Sequence, residues 1–136
     1  MKKKFLALLL SPIMLTSCVS SHYRALMMVT ENRTSYASIS FSEFTGQYVF
    51  KLKRTEVGEG SIRFNARLEE GHIEVFFKAS MMDDYKSMFV INGGETIDNY
   101  MGYLEKGWKV SIIVKSEGTA SSGSFTFDSN YDIHDM

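Results

Sequence analysis

The side chains able to do acid–base, nucleophilic or metal chemistry are few in this 136-residue chain, and they are scattered. His22, His72 and His134 show neither the HxH nor the HxxxH spacing that brings two imidazoles to one metal ion. His72 falls on the polar side of an alternating segment, where an imidazole is solvated. Asp83-Asp84 and Glu69-Glu70 are neighbours in sequence, whereas a glycosidase pair faces across a cleft. Residues 128–132 (DSNYD) begin like a calcium loop, but Ile133 stands where that loop needs glycine. No Lys-Ser/Thr follows Gly93-Gly94 as in a phosphate loop, and no serine sits in a nucleophile elbow. The sequence therefore points to no catalytic residue, no metal and no cofactor. It predicts a non-enzymatic binding or interaction module.

The one cysteine carries the most specific signal. Lys2, Lys3 and Lys4 precede an 11-residue apolar run over 5–15, which ends in Leu15-Thr16-Ser17-Cys18. A helix needs about 20 apolar residues to span a bilayer, so a run this short behind a basic start reads as a signal peptide. Its last four residues resemble the bacterial lipobox. The resemblance implies a diacylglycerol thioether on Cys18 and cleavage after Ser17, with Leu15, Thr16 and Ser17 recognised by the signal peptidase. With no second cysteine there is no disulfide to form. The expected location is a cell or outer membrane, facing away from the cytoplasm, with membrane lipid as the partner of Cys18.

The sequence predicts residues 1–17 as the signal peptide, 18–24 as the lipidated cysteine and a short polar tether, 25–128 as one domain, and 129–136 as a polar tail. A hydrophobic content of 44% with 23% charged residues suits a folded domain. Without Lys2, Lys3 and Lys4 the 15 basic residues fall to 12 against 16 acidic ones. No basic stripe interleaved with aromatics is visible, so nucleic acid is not an expected partner.

Period-two alternation runs through that domain and predicts short antiparallel strands. In 61–69, Ile62, Phe64, Ala66 and Leu68 share one face; in 72–78, Ile73, Val75 and Phe77 do. Glu70-Gly71 between them predicts a two-residue hairpin turn pairing Leu68 with Ile73, Ala66 with Val75 and Phe64 with Phe77. Segments 35–42, 47–53, 108–115 and 124–128 alternate likewise; 24–30 and 86–91 do so more weakly. Thr45-Gly46, 58–60, Gly93-Gly94 and 118–123 read as turns. Seven to nine short strands so spaced predict an all-β fold, a single antiparallel β-sandwich or jelly-roll-like domain. The best helical stretch, 80–86, is too short to build on.

Phe44-Thr45-Gly46, Gly71, Phe89-x-Ile91-x-Gly93-Gly94, Gly102-Tyr103-x-Glu105-x-Gly107 and Gly123-Ser124-Phe125 resemble the pattern of small uncharacterised lipoproteins of Firmicutes and related gut bacteria. The resemblance implies a lipobox followed by one β-sandwich, and it implies no activity. Aromatics outside the inward sets are the candidate ligand contacts: Phe76, Tyr85, Tyr100 and Tyr103. The expected partner is an envelope protein or a glycan. A glycan-binding domain predicts coplanar exposed rings, whereas a modulator of an envelope enzyme predicts a protruding loop at 118–123. If Cys18 carries the anchor, Cys18→Ala will move the protein from the detergent phase to the aqueous phase and leave the precursor uncut after Ser17. A variant that still partitions with membranes would overturn the lipobox reading.

Overall fold

The structure, a computed structural model, describes residues 20–133. Cys18, Leu15, Thr16, Ser17 and His134 lie outside them. Eight strands follow one another: β1 (His22–Leu26), β2 (Val29–Asn32), β3 (Tyr36–Lys53), β4 (Gly60–Glu70), β5 (His72–Ala79), β6 (Lys86–Asn92), β7 (Glu95–Leu104) and β8 (Lys109–Asp132). Every pairing is antiparallel. The sheet exceeds the expected domain limits at both ends, since β1 begins at His22 and β8 runs to Asp132.

The strands form two layers, and the long strands belong to both. In the first layer the order is β2, the first half of β3, the second half of β8, β4 and β7. In the second it is β1, the second half of β3, the first half of β8, β5 and β6. The order is the same in both, so the domain is one five-segment antiparallel sheet folded over on itself. Rings meet across the fold: Phe64 of the first layer stacks on Phe89 of the second at 4.6 Å, and Phe50 of the second lies 6.1 Å from Phe127 of the first. This is the β-sandwich expected from the alternation.

Three expectations are corrected. Residues 70–72 are not a hairpin, because β4 pairs with β7 and β8 while β5 pairs with β6 and β8. Ala66 lies opposite Phe125 and Ile97, Val75 opposite Val114 and Phe89. Both apolar sets do face inward, but across the core, and Gly71 carries the chain from one layer to the other. Thr45-Gly46 is no turn either; it lies within β3 where that strand bends. Nor is 118–123 a protruding loop. It belongs to β8, and Ala120, Ser121 and Gly123 are paired with β3.

At that bend Ser42 and Glu43 of β3, and Ser121 and Ser122 of β8, turn outward together. The inward set of β3 consequently changes from Ala37, Ile39 and Phe41 to Phe44, Phe50 and Leu52. Two successive outward residues interrupt the period of two, and the left-handed φ of Ser122 (51°) marks the sharp bend. β7 carries no legible alternation because both of its sides are largely exposed at the sheet edge, Leu104 being its one buried residue.

Gly71 has φ 107°, and a Cβ there would stand 2.7 Å from the Ala120 Cα, on rigid backbone. Gly58 also has a positive φ (89°), with nothing within 4 Å of such a Cβ. Gly71→Ala is therefore expected to cost about 3 kcal/mol or more through backbone strain plus collision, and Gly58→Ala only about 1 kcal/mol. Urea unfolding of the two variants checks the ordering, and equal losses would show that the layer crossing is not tightly packed.

Candidate binding faces

Folding the sheet leaves two outer surfaces, one per layer, with opposite chemistry. On the first layer, residues between the inward ones form three rows across four strands. They run Tyr36–Asp128–Arg63–Tyr100, Ser38–Thr126–Asn65–Asp98 and Ser40–Ser124–Arg67–Thr96. None of these twelve positions carries an aliphatic side chain. Arg63 Nη2 meets both carboxylate oxygens of Asp98, at 2.9 and 3.0 Å. Turning the Asn65 amide so that its nitrogen faces the pair brings that nitrogen to 3.0 Å from the same carboxylate. An ion pair this exposed contributes no more than about 1 kcal/mol to stability. Its larger effect is to hold a planar guanidinium and a carboxylate side by side.

Tyr131 joins this face at one end. A register shift between β4 and β8 sets Ser61 opposite Tyr131 but Arg63 opposite Asp128, turning the Tyr131 ring outward. Tyr100 lies 5.2 Å from that ring with an interplanar angle of 41°, and the Arg63 guanidinium stands 5.4 Å over it. Arg63, Asp98, Asn99, Tyr100 and Tyr131 line a shallow pocket of about 240 Å³.

The second layer presents lysines. Lys51, Lys53, Lys78 and Lys109 line a groove of about 510 Å³ together with Ser80 and Ser111, without a carboxylate among its lining residues. None of the four makes an ion pair among the described residues. Lys53 lies opposite Lys109, and Ser111 lies between Lys51 and Lys78. The next row is apolar: Val49, Ile113 and Phe76 side by side on three strands. Ile113 is only 8% exposed although it faces away from the core. Sequence reading found no basic stripe because these lysines come from three strands and gather only when the strands pair.

The four aromatics singled out from sequence do not form one platform. Phe76 and Tyr85 lie on the lysine face, where the Tyr85 hydroxyl and Ser111 Oγ are 2.7 Å apart. Tyr100 belongs to the polar face. Tyr103 stands elsewhere, with Trp108 edge-on at 5.7 Å and its hydroxyl donating to Glu105 Oε2 at 2.9 Å. Sequence reading missed Arg54, which is fully buried because it continues the inward series of Phe50 and Leu52. Its Nη1 donates to the carbonyls of Ser129 and Tyr131, at 3.3 and 3.0 Å, and Nη2 to that of Val57 at 3.3 Å. The bare backbone of Gly60 makes room for it. Arg54 thus ties the 54–60 loop to the end of β8, a structural role. Among the described residues no three His, Cys, Asp or Glu side chains converge on a common point, and no helix is long and apolar enough to cross a membrane.

No protein-family profile and no curated protein matches the chain. Among solved structures it is similar to a protein from Neisseria meningitidis, at 20% identity over 78% of this chain and 87% of that one, with a TM-score of 0.38. It is similar to a family 29 carbohydrate-binding module at 15% identity, over 87% and 94% of the two chains, with a TM-score of 0.41. The N-terminal cellulose-binding domain of a Cellulomonas fimi β-1,4-glucanase aligns at 9% identity over 82% and 86%, also at 0.41. Likeness at this level transfers no function.

The Glu105 carboxylate that accepts the Tyr103 proton also repels a phenolate, so both effects raise the Tyr103 pKa above its ordinary value. The hydrogen bond is intact at neutral pH and is lost as pH rises through the raised pKa. Ultraviolet titration should show Tyr103 ionising above the ordinary phenol range, and Glu105→Gln should bring it down toward that range. An unchanged titration in that variant would place the cause elsewhere.

Proposed function

We propose that this chain is a non-enzymatic carbohydrate-binding module of the cell envelope, held to a membrane by lipid on Cys18, with the outer face of its first layer as the glycan site. The supporting observation is the tyrosine-rimmed polar face: twelve adjacent positions without an aliphatic side chain, on a rigid sheet. Sugars present neighbouring hydroxyls that both donate and accept. The guanidinium–carboxylate pair of Arg63 and Asp98, with Asn65 and the hydroxyls of Ser38, Thr126 and Ser124, supplies both kinds of partner in one plane. Tyr100 and Tyr131 supply ring surface for the apolar face of a pyranose, although their 41° tilt suits a bent or twisted chain better than a flat one. The lipobox supports the envelope location.

Affinity electrophoresis against soluble β-glucans, mannans and peptidoglycan fragments tests this reading. Retardation by at least one neutral polysaccharide is expected. Tyr100→Ala and Arg63→Ala should each weaken it by about tenfold, equivalent to about 1.4 kcal/mol, without changing the unfolding midpoint by more than a few degrees. Mobility unchanged by every glycan, or binding that survives both substitutions, would remove the polar face as a sugar site.

A further inference from the structure

We infer that the lysine face of the second layer rests on the anionic surface of the membrane that holds the chain, so that the tyrosine-rimmed face is turned away from the bilayer. The inference rests on the lipid anchor proposed above, and three features of the structure carry it.

The first is where the tether joins. β1 pairs with β3 in the second layer, His22 opposite Gln47, so Ser21 and Ser20 run toward Val49, the row next to Lys51. Two contacts fix that approach: Gln47 Nε2 donates to the Ser20 carbonyl at 2.9 Å, and the Val49 amide donates to Ser21 Oγ at 2.8 Å. Cys18 is two residues before Ser20 in sequence, and two residues of chain reach no more than about 7 Å. A lipid there brings the bilayer surface beside the end of the second layer that carries the lysines.

The second is charge. The net charge is −1, yet Lys51, Lys53, Lys78 and Lys109 converge on one groove that has no carboxylate in its lining. Lys115 adds a fifth ammonium to the same face; its neighbour on β5, Glu74, accepts from Ser87 at 2.7 Å. Ammonium groups held within about 8 Å of an anionic leaflet are attracted with little screening. A single acyl-bearing anchor leaves a domain free to swivel, and such a face removes that freedom.

The third is the apolar row. Val49, Ile113 and Phe76 stand next to the lysines, with Tyr85 beside them. Val49, Phe76 and Tyr85 are half-buried and Ile113 is 8% exposed, so the row backs the lysine stems, which lie along the headgroup boundary while their ammonium tips reach phosphate. Because the two outer faces lie on opposite sides of the sandwich, docking one directs the other outward, toward any glycan above the membrane.

The test uses the mature lipidated protein reconstituted in vesicles of phosphatidylcholine alone, or of phosphatidylcholine and phosphatidylglycerol in equal parts. A water-soluble amine-reactive reagent is applied and each lysine is read by mass spectrometry. Lys51, Lys53, Lys78 and Lys109 should react about tenfold less on the mixed vesicles, and raised salt should restore them. A reporter lysine on the opposite face, Ser124→Lys, should react equally on both. In K51Q/K109Q the protection of Lys78 should disappear. Equal reaction of the four lysines on the two vesicle types overturns the inference, as does equal protection of both faces. Protection by dissolved polygalacturonate with none on phosphatidylglycerol also overturns it and assigns the face to an acidic polymer. Protein that floats free of both vesicle types defeats the anchor itself and with it the inference. That failure is recognised separately, by Cys18→Ala leaving detergent partition unchanged.

Discussion

Everything in this domain depends on one line along which five chain segments pass from one layer to the other. From edge to edge the crossings are the β6–β7 connection at Gly93-Gly94, the β4–β5 connection at Gly71, the bends of β8 and β3, and the β1–β2 connection at Met27. They touch in sequence. The Gly93 amide donates to the Gly71 carbonyl at 2.9 Å, and the Gly71 Cα faces Ala120 in the β8 bend. Thr119 of that bend meets Thr45 of the β3 bend, their hydroxyls 3.1 Å apart, and Ser42 Oγ of the β3 bend donates to the Leu26 carbonyl beside Met27 at 3.1 Å. At Gly71, Gly93 and Gly46 a Cβ would stand within 3 Å of neighbouring backbone, which is why glycine occupies those three crossings.

The same line closes one end of the core. Seven phenylalanines are buried in it: Phe41, Phe44, Phe50, Phe64, Phe77, Phe125 and Phe127. Each contributes on the order of 2 kcal/mol relative to exposure. The opposite end is closed by polar chemistry. Arg54 reaches three carbonyls, and Ser129 donates its hydroxyl toward the carbonyls of Lys53 and Ser35, at 3.0 and 3.2 Å. The Arg54 guanidinium is buried without a facing carboxylate because Nη1 and Nη2 meet carbonyl oxygens, while its Nε has no partner among the described residues. Loop ends are thereby pinned to β8, the strand that neighbours β3, β4 and β5.

A sheet folded in half has two outer faces built from alternate residues of the same strands. β8 shows the consequence most directly. Its first half sends Lys109, Ser111, Ile113 and Lys115 to one side of the molecule, and its second half sends Ser124, Thr126 and Asp128 to the other. A modest net charge thus conceals a basic face and a mixed polar face. The buried core keeps the two chemistries on opposite sides of the molecule.

The sequence alone determined which residues face inward. Period-two alternation named Ile62, Phe64, Ala66 and Leu68, Ile73, Val75 and Phe77, and Val110, Ile112 and Val114, because a strand with one side in a core must alternate. It also carried a pattern at Leu15-Thr16-Ser17-Cys18 that resembles a lipobox, a local pattern that needs no fold to be legible. Only the tertiary structure decided how those faces meet. Alternation is identical whether two strands lie side by side or across a core, so Glu70-Gly71 read as a hairpin when it is a crossing between layers. The outward pairs Ser42-Glu43 and Ser121-Ser122 broke the period, so two long bent strands read as four short ones. The two candidate surfaces were invisible for the same reason. Arg63 and Asp98 are 35 residues apart, and Lys51, Lys78 and Lys109 lie on three strands. Their proximity is a property of register, which is set by backbone pairing and core packing rather than by any local run of residues.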